Sequence, residues 1–220
     1  QHRAPPALAH LATTPPSPRP LVPLPGPPQP PMTRSRSTTA VLEIATNIAK
    51  ELVTRKVTVV AGLAAGIDTA AHRAALDSDG RTVAIIGTGI NKVYPKENRD
   101  LHSEISSRGL LLSQFWPDAP PQKHTFLMRN ATMSGYGIAT VVVEAGEHSG
   151  ARAQARMAVE HGRPVILTGL VVTNNQWARA LVGRPGVHVA DGLKDVLGIV
   201  DGLISEASIL DADLRRLVSA

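Results

Sequence analysis

Three glycine-containing turns are the segments whose residue types best suit chemistry with an anion. They lie at 62–66, 87–89 and 144–150. Glycine permits positive φ and close approach of a ligand to the backbone, and free N–H groups at a helix start can bind phosphate. Any one turn is weak support, because turns between strands and helices need glycine for packing as well. Three at one sheet edge predict a phosphate-binding surface, formed by Gly62, Gly66, Gly87, Thr88, Gly89, Ser149 and Gly150.

Basic residues fall at two places from which they can reach a bound phosphate. Lys123, His124 and Arg129 follow a proline-rich loop, and arginine binds phosphate in a bidentate manner. We expect Arg129 to hold a phosphate, with Lys123 and His124 at the rim. The adjacent Asn130 can read a base edge or brace the loop. Arg152 follows the third turn, and a solvated position on a helix face is the alternative to a phosphate contact there.

Several carboxylates and histidines of the chain are candidates for a catalytic site. Asp68 and His72 are four residues apart and share a face of a predicted helix. A catalytic pair is one interpretation. The favoured one is that Asp68 caps the turn and His72 packs beneath it, because no Ser or Cys nucleophile accompanies them. No carboxylate is paired with Glu144 for acid–base work and no histidines have metal-ligand spacing, so we predict no catalytic residues, metal or cofactor.

The composition is that of a globular protein with a basic charge balance. The 220 residues are 43% hydrophobic and 19% charged, with a net charge of +5 that is compatible with a polyanionic partner. The absence of cysteine excludes a disulfide scaffold, a thiolate metal site and a cysteine nucleophile. No apolar run approaches the ~20 residues of a membrane helix, and no secretory signal is visible. We therefore expect a cytoplasmic protein without membrane contact.

The first 31 residues differ from the rest of the chain. They contain 12 of its 18 prolines and no Asp or Glu. Because proline fixes φ and removes an N–H donor, we predict a disordered, proline-rich arm over 1–31. Strand and helix patterns alternate from Thr38 onward, as is typical of a mainly parallel sheet with helices on both faces. We predict an α/β domain over 32–200 and a C-terminal helical tail over 201–220.

Apolar periodicity predicts the individual elements of this domain. The predicted strands are 57–61, 82–86, 110–113, 140–143, 165–167 and 187–189. The predicted helices are 38–55, 67–76, 97–108, 126–134, 150–161, 175–182, 192–199 and 205–218. Ligands of such sheets bind outside the carboxyl ends of the strands, where the glycine turns begin.

Four segments in order make residues 33 to about 200 resemble the DprA/Smf family of DNA-processing proteins. They are Val60–His72 (VAGLAAGIDTAAH), Ile86–Ile90 with Val93–Pro95 and Asn98, His124 with Phe126 and Arg129-Asn130, and Val142–Ala145 with Ser149-Gly150. The resemblance implies an extended Rossmann-like fold and a homodimer. It also implies a protein that binds single-stranded DNA, protects incoming DNA and loads it onto the RecA recombinase during natural transformation, without enzymatic activity.

The chain also departs from the family pattern at several positions. Ala65, Met128 and Ala131 replace arginines of the family, which should make DNA binding weaker and less sensitive to salt. Arg34 and Arg36 resemble the phosphate-binding end of the family's first strand, but its glycine is Met32 here. The preceding PGPPQPP cannot supply a central strand. Either that strand was lost through truncation or a shifted reading frame, or the sheet is incomplete.

Two other functions compete with DNA binding. Nucleoside monophosphate phosphoribohydrolases have a similar Rossmann domain, and in such an enzyme Glu144 and an arginine would act on the nucleotide. This chain lacks the glycine run and double glutamate of those enzymes. The other alternative is a protein-interaction scaffold that has lost DNA binding together with the missing arginines.

Overall fold

A computed structural model describes residues 38–218, in which parallel strands alternate with helices. The strands are β1 (Val59–Ala61), β2 (Thr82–Ile85), β3 (Leu110–Leu112), β4 (Thr140–Val142), β5 (Val165–Thr168) and β6 (Val187–Ala190). The helices are α1 (Thr39–Thr54), α2 (Ile67–Asp77), α3 (Arg99–Arg108), α4 (Lys123–Tyr136), α5 (Gly150–Glu160), α6 (Gly169–Asn174), α7 (Gln176–Arg179) and α8 (Leu193–Val218). A 3₁₀ turn, Lys96–Asn98, precedes α3.

The predicted elements are present, with three differences in their bounds. Helix α4 begins three residues early because Gln122 and Thr125 form a capping box at its start. The helix predicted over 175–182 is replaced by α6 and α7, since Asn175 is extended (φ −134°, ψ 127°) and interrupts them. The two helices predicted after residue 192 are one helix, α8, so no break separates a tail at 201. No proline occurs in 193–218, and glycine weakens a helix without necessarily ending it.

The strands form two three-stranded parallel sheets in place of one continuous sheet. Their orders are β1-β2-β3 and β4-β5-β6, and β1 does not pair with β4. The N–H groups of Val59 and Thr140 donate to Arg81 and Pro164, next to the partner strands within their own sheets. Because hydrogen bonding alternates along a parallel strand, the peptide groups of the next residues point to the free edges of β1 and β4. Within residues 38–218 the parallel sheet is therefore incomplete.

Both faces of the second sheet are covered by helices. Val142, Val165 and Leu167 pack against α5, α6 and α7 on one face. Val143 and Ile166 pack against α1 and α8 on the other. Successive strand residues point to opposite faces, so a continuous apolar run is required for a sheet covered on both sides. This arrangement confirms the predicted Rossmann-like class.

Two helices link the two sheets despite the missing strand pairing. Helix α1 packs on Val59 of β1 through Ala49 and on the second sheet through Ile48. Helix α4 packs under β2 through Met133 and makes extensive contact with α5. Burial of a side chain such as Ile48 contributes about 1.5–3 kcal/mol. The carboxyl ends of β1, β2 and β4, where the glycine turns begin, are thereby held by α1 and α4.

Candidate functional site

The first glycine turn, between β1 and α2, is closed by an acidic side chain. Asp68 Oδ2 accepts hydrogen bonds from the backbone N–H groups of Gly62 (3.0 Å) and Ala64 (3.1 Å). The interpretation of Asp68 as the cap of this turn is confirmed. A carboxylate that already occupies the N–H groups excludes a phosphate from the same place. The N–H of Gly62 is therefore already engaged, which disfavours a phosphate at that residue. The phosphate contacts expected of Gly62 and Gly66 stay a prediction.

Arg129 is buried beneath this turn and does not face solvent. Its Nη1 donates to the carbonyl oxygens of Gly62 and Ile85 (2.9 Å to Ile85), and its Nε donates to Asn130 Oδ1 (3.0 Å). Burial lowers the pKa of Arg129, and the Asp68 carboxylate opposes this by raising it. A Cβ on Gly62 would overlap the guanidinium, so Arg129 requires glycine there. Arg129 links α4 to the ends of β1 and β2. This buried position does not favour its expected role as a phosphate ligand, which stays a prediction.

The second glycine turn is also unavailable to a phosphate. Gly87, Thr88 and Gly89 are buried. The N–H of Gly89 donates to the carbonyl of Ala119 (2.9 Å), and the Thr88 hydroxyl donates to a backbone carbonyl of its own loop (3.1 Å). A Cβ on Gly87 would come within 2.5 Å of the Phe126 ring. These glycines serve packing of the proline-rich loop and α4, which does not favour the phosphate contacts expected of this turn. Those contacts stay a prediction.

Replacing Gly89 with alanine is expected to destabilise the protein by roughly 1–3 kcal/mol. An added Cβ would overlap the backbone carbonyl oxygens of Trp116 and Pro117, so the proline-rich loop would have to shift. Urea unfolding measures the change. Gly146→Ala is the control, because no atom lies within 4 Å of a Cβ added there. An unfolding midpoint equal to that of the control would mean that the loop does not pack on this turn.

The third glycine turn, between β4 and α5, is open to solvent. Gly146, His148 and Gly150 are exposed. Ser149 caps α5, and its side chain accepts the N–H of Arg152 (3.3 Å). The Arg152 side chain is exposed and donates to the carbonyl of Glu147 (2.8 Å), which holds it over the turn. The three candidate residues of this turn, at 149, 150 and 152, therefore lie together on an accessible surface.

The first turn of α4 adds two exposed cationic or titratable side chains near this surface. Lys123 and His124 are exposed. The buried Asn130 donates from Nδ2 to the carbonyl of Gly150 (3.2 Å), which joins α4 to the start of α5. Lys123 and Asn130 are seven residues apart, so they share a face of α4 at a separation of about 10 Å. Asn130 therefore braces the loop and is not placed to read a base.

We call these five accessible residues the α4–α5 strip. They are Lys123, His124, Ser149, Gly150 and Arg152. Arg34 and Arg36, the other two basic candidates, lie outside the described residues.

The Asp68 and His72 side chains are not assembled as a catalytic pair. His72 is fully buried, with Nδ1 2.7 Å from the Thr82 hydroxyl oxygen. Burial lowers its pKa to about 4, an effect only partly offset by the Asp68 carboxylate. Glu144 is half-buried at the end of β4 and has no hydrogen bond or ion pair with any described residue. No group of three or more potential metal ligands occurs in residues 38–218.

Sequence reasoning missed one conspicuous residue near the strip. Trp116 is 86% exposed in the proline-rich loop before α4. Its signal in the sequence is an aromatic residue directly before Pro117, in a segment that cannot enter a helix interior or a central strand. No helix in residues 38–218 is long and apolar enough to cross a membrane.

The chain is similar to known DNA-processing proteins in sequence and in structure. The model of the DNA recombination-mediator protein A family matches residues 33–184. Protein Smf of Synechocystis is 42% identical over 118 residues, which are 54% of this chain and 30% of that protein. DNA processing protein A of Streptococcus pneumoniae has a crystal structure that is 31% identical, with a TM-score of 0.63 over 74% of this chain and 57% of that one.

A second solved structure shows the same fold at lower identity. It is DNA processing protein A of Helicobacter pylori, with a TM-score of 0.68 and 23% identity over 78% of this chain and 77% of that chain, and it concerns that protein's single-stranded DNA binding mode. This chain spans 30–43% of the length of the curated relatives that it matches. Because the family model covers residues 33–184, well over half of the sequence, the chain belongs to the DNA recombination-mediator protein A family.

Proposed function

We propose that this chain binds single-stranded DNA along the α4–α5 strip. The observation that carries the proposal is the open third turn, where the half-buried cap residue Ser149 and the exposed Gly150 adjoin the exposed Arg152 side chain. A helix start with an adjacent arginine favours a phosphate group. Lys123, about 10 Å further along the same face of α4, is placed to meet a neighbouring phosphate of the same strand, and His124 follows it at the start of the helix. The single-stranded DNA binding mode described for the Helicobacter pylori relative supports this choice of polymer.

The proposal includes a role in recombination and excludes catalysis. Membership of a recombination-mediator family supports the role in recombination. Transfer of the bound strand to the RecA recombinase, natural transformation as the pathway and a homodimer as the active form are parts of the proposal. Binding without chemistry is supported by the burial of His72 and by the engagement of Asp68 with backbone N–H groups. A strand held only by phosphate contacts and accessible bases can be transferred to a recombinase without a covalent step.

Removing two cations of the strip is expected to weaken DNA binding strongly. The double variant Lys123→Ala/Arg152→Ala should bind a fluorescein-labelled dT oligonucleotide about tenfold more weakly at low salt. Loss of two phosphate contacts should also reduce the slope of log K against log salt by about 1.4, because each contact to a single strand contributes about 0.7. Fluorescence anisotropy at several salt concentrations gives both quantities.

The matched control removes the same amount of positive charge at the opposite, amino-terminal ends of the strands. Arg163 and Arg184 are exposed and precede β5 and β6, so the double variant Arg163→Ala/Arg184→Ala lies at the amino ends of the strands. Its DNA affinity should fall only through the general charge effect. Equal losses in the two double variants would contradict a localised strip, and no affinity of the unmodified chain at low salt would contradict DNA binding itself.

The enzymatic alternative has its own readout. Glu144 is the carboxylate that a nucleotide hydrolase would use, and it lies at the end of β4 beside the open turn. Incubation with nucleoside monophosphates, followed by chromatography for released base, should give no product. Base release that is lost in Glu144→Gln would replace DNA binding with hydrolysis as the function of this site.

A further inference from the structure

Trp116 combines near-complete exposure with a fixed backbone. Its side chain is 86% exposed, whereas Trp177, the other tryptophan of the chain, is 8% exposed in the core. Exposure of so large an apolar side chain has a cost in free energy that burial would remove. A solvent-exposed tryptophan therefore marks a place where a ligand covers the indole ring, provided that the loop keeps it in position.

Backbone hydrogen bonds keep the loop in position. The Trp116 carbonyl accepts the N–H of Ala119 (2.9 Å), which closes a turn. The carbonyl of Pro117 accepts the N–H of Asn91 (2.9 Å), and that of Ala119 accepts the N–H of Gly89 (2.9 Å). The loop is thus attached to the second glycine turn at two points, and prolines restrict it further. Because the loop already holds the indole ring in position, little further conformational entropy is lost when a ligand binds to the ring.

A groove of about 660 Å³ lies beside the indole ring. Its walls combine the flat apolar surfaces of Phe115 and Pro117 with the polar side chains of Gln122 and His124. The exposed Lys123 lies between these two polar residues in the sequence. A groove with apolar walls and polar groups on one side suits a nucleobase, and a lysine next in sequence to two of its lining residues can reach the attached phosphate.

We propose that this groove is a nucleobase subsite, in which a base of single-stranded DNA stacks on Trp116. The inference rests on the proposed DNA binding and adds a base contact to its phosphate contacts. The base lies against the indole ring, with its edge toward Gln122 and His124. The attached phosphate lies toward Lys123, where the α4–α5 strip begins. Stacking on an aromatic ring tolerates any base, so this subsite raises affinity without imposing a sequence.

Intrinsic fluorescence tests this subsite directly. Addition of a dT oligonucleotide should quench the emission of Trp116 in the unmodified chain, with the same midpoint as the anisotropy of the labelled oligonucleotide. In Trp116→Phe the remaining Trp177 is buried, so quenching should disappear while most of the affinity is retained. Trp116→Ala should bind about five- to 150-fold more weakly, the range for removing one stacking platform.

Two controls separate base stacking from phosphate contact and from a general aromatic effect. An oligonucleotide of abasic sites has the same phosphates without bases, and it should bind without quenching. Tyr136→Ala removes another exposed aromatic residue, at the C-terminal end of α4, and should leave affinity unchanged.

The outcomes that contradict the nucleobase subsite differ from those that contradict DNA binding. If DNA raises the anisotropy but does not quench Trp116, and if Trp116→Ala keeps full affinity, the nucleobase subsite is wrong and the strip remains. If the unmodified chain binds no DNA, both proposals fall. If sedimentation shows that Trp116→Ala abolishes self-association while DNA affinity is unchanged, the groove contacts protein and the nucleobase assignment is overturned.

Discussion

Replacement of Arg129 with alanine is expected to lower the free energy of unfolding by about 3–5 kcal/mol and to leave the DNA affinity of the folded protein unchanged. The guanidinium donates to the carbonyl oxygens of Gly62 and Ile85 and to the side chain of Asn130. Its removal leaves these acceptors buried without a donor and creates a cavity between α4 and the strands. Both effects destabilise the folded protein. Each unsatisfied buried acceptor alone costs about 1–3 kcal/mol.

Urea unfolding followed by circular dichroism measures this loss, and anisotropy of a labelled oligonucleotide measures binding well below the unfolding midpoint. Arg156→Ala is the control, since Arg156 is exposed and its nearest Glu160 oxygen is 3.6 Å away. This exposed change should cost less than about 0.5 kcal/mol. If Arg129→Ala does not fold, Arg129→Lys keeps a charge and part of the hydrogen bonding for the same comparison. A stable variant with weakened binding would return Arg129 to the DNA surface.

The behaviour of Arg129 illustrates what the sequence can predict of this site. A strand that ends in glycine and is followed by a helix identifies a turn, and all three turns are present where the sequence places them. Whether the N–H groups of a turn are free depends on residues far away in sequence. Arg129 contacts Gly62 across 67 positions, and Ala119 contacts Gly89 across 30. Composition and spacing contain no information on such contacts, so the sequence predicts phosphate binding equally at all three turns, whereas in the structure only the third is open to solvent.

The fold was more predictable than the site because it depends on local patterns. Continuous apolar runs such as 140–143 and 165–167 specify strands covered on both faces, and the structure places a strand at each. Within the described residues β1 pairs only with β2 and β4 only with β5, so each of them has one edge without a partner strand. Helix ends were less predictable, since capping by Gln122 and the extended Asn175 depend on single side chains and dihedral angles.

The buried His72 is expected to make the protein lose stability in mild acid. Its Nδ1 lies 2.7 Å from the Thr82 hydroxyl oxygen, whose own hydrogen is donated to the carbonyl of Val59 (3.0 Å). Neutral His72 therefore carries its proton on Nδ1, and the buried Nε2 has no partner among the described residues. Protonation of His72 would bury a charge, and burial outweighs the Asp68 carboxylate and the Ala61 backbone that favour the charged form, which is why the pKa is lowered to about 4.

The sign of the effect follows from the two protonation states. The unfolded chain binds a proton at His72 below a pKa of about 6.5, whereas the folded protein resists it until about 4. The unfolded state therefore binds more protons between these values, and stability falls as the pH falls through that window. The titration of His72 should lower the free energy of unfolding by about 2 kcal/mol between pH 7 and pH 5, and by roughly 3 kcal/mol in total below pH 4.

Urea unfolding at pH 7, 6 and 5 measures this dependence above the range in which unperturbed carboxylates titrate. The comparison is between the unmodified chain and the variant His72→Gln, whose amide has no proton to bind in this range and retains a donor for the Thr82 hydroxyl. The variant is expected to be less stable than the unmodified chain at pH 7, but the difference between the two proteins should shrink by about 2 kcal/mol on going to pH 5. A constant difference would mean that His72 titrates in the folded protein as it does in the unfolded chain. Its packing beneath the first glycine turn would then contribute nothing to acid sensitivity, and the loss of stability would have to come from groups elsewhere.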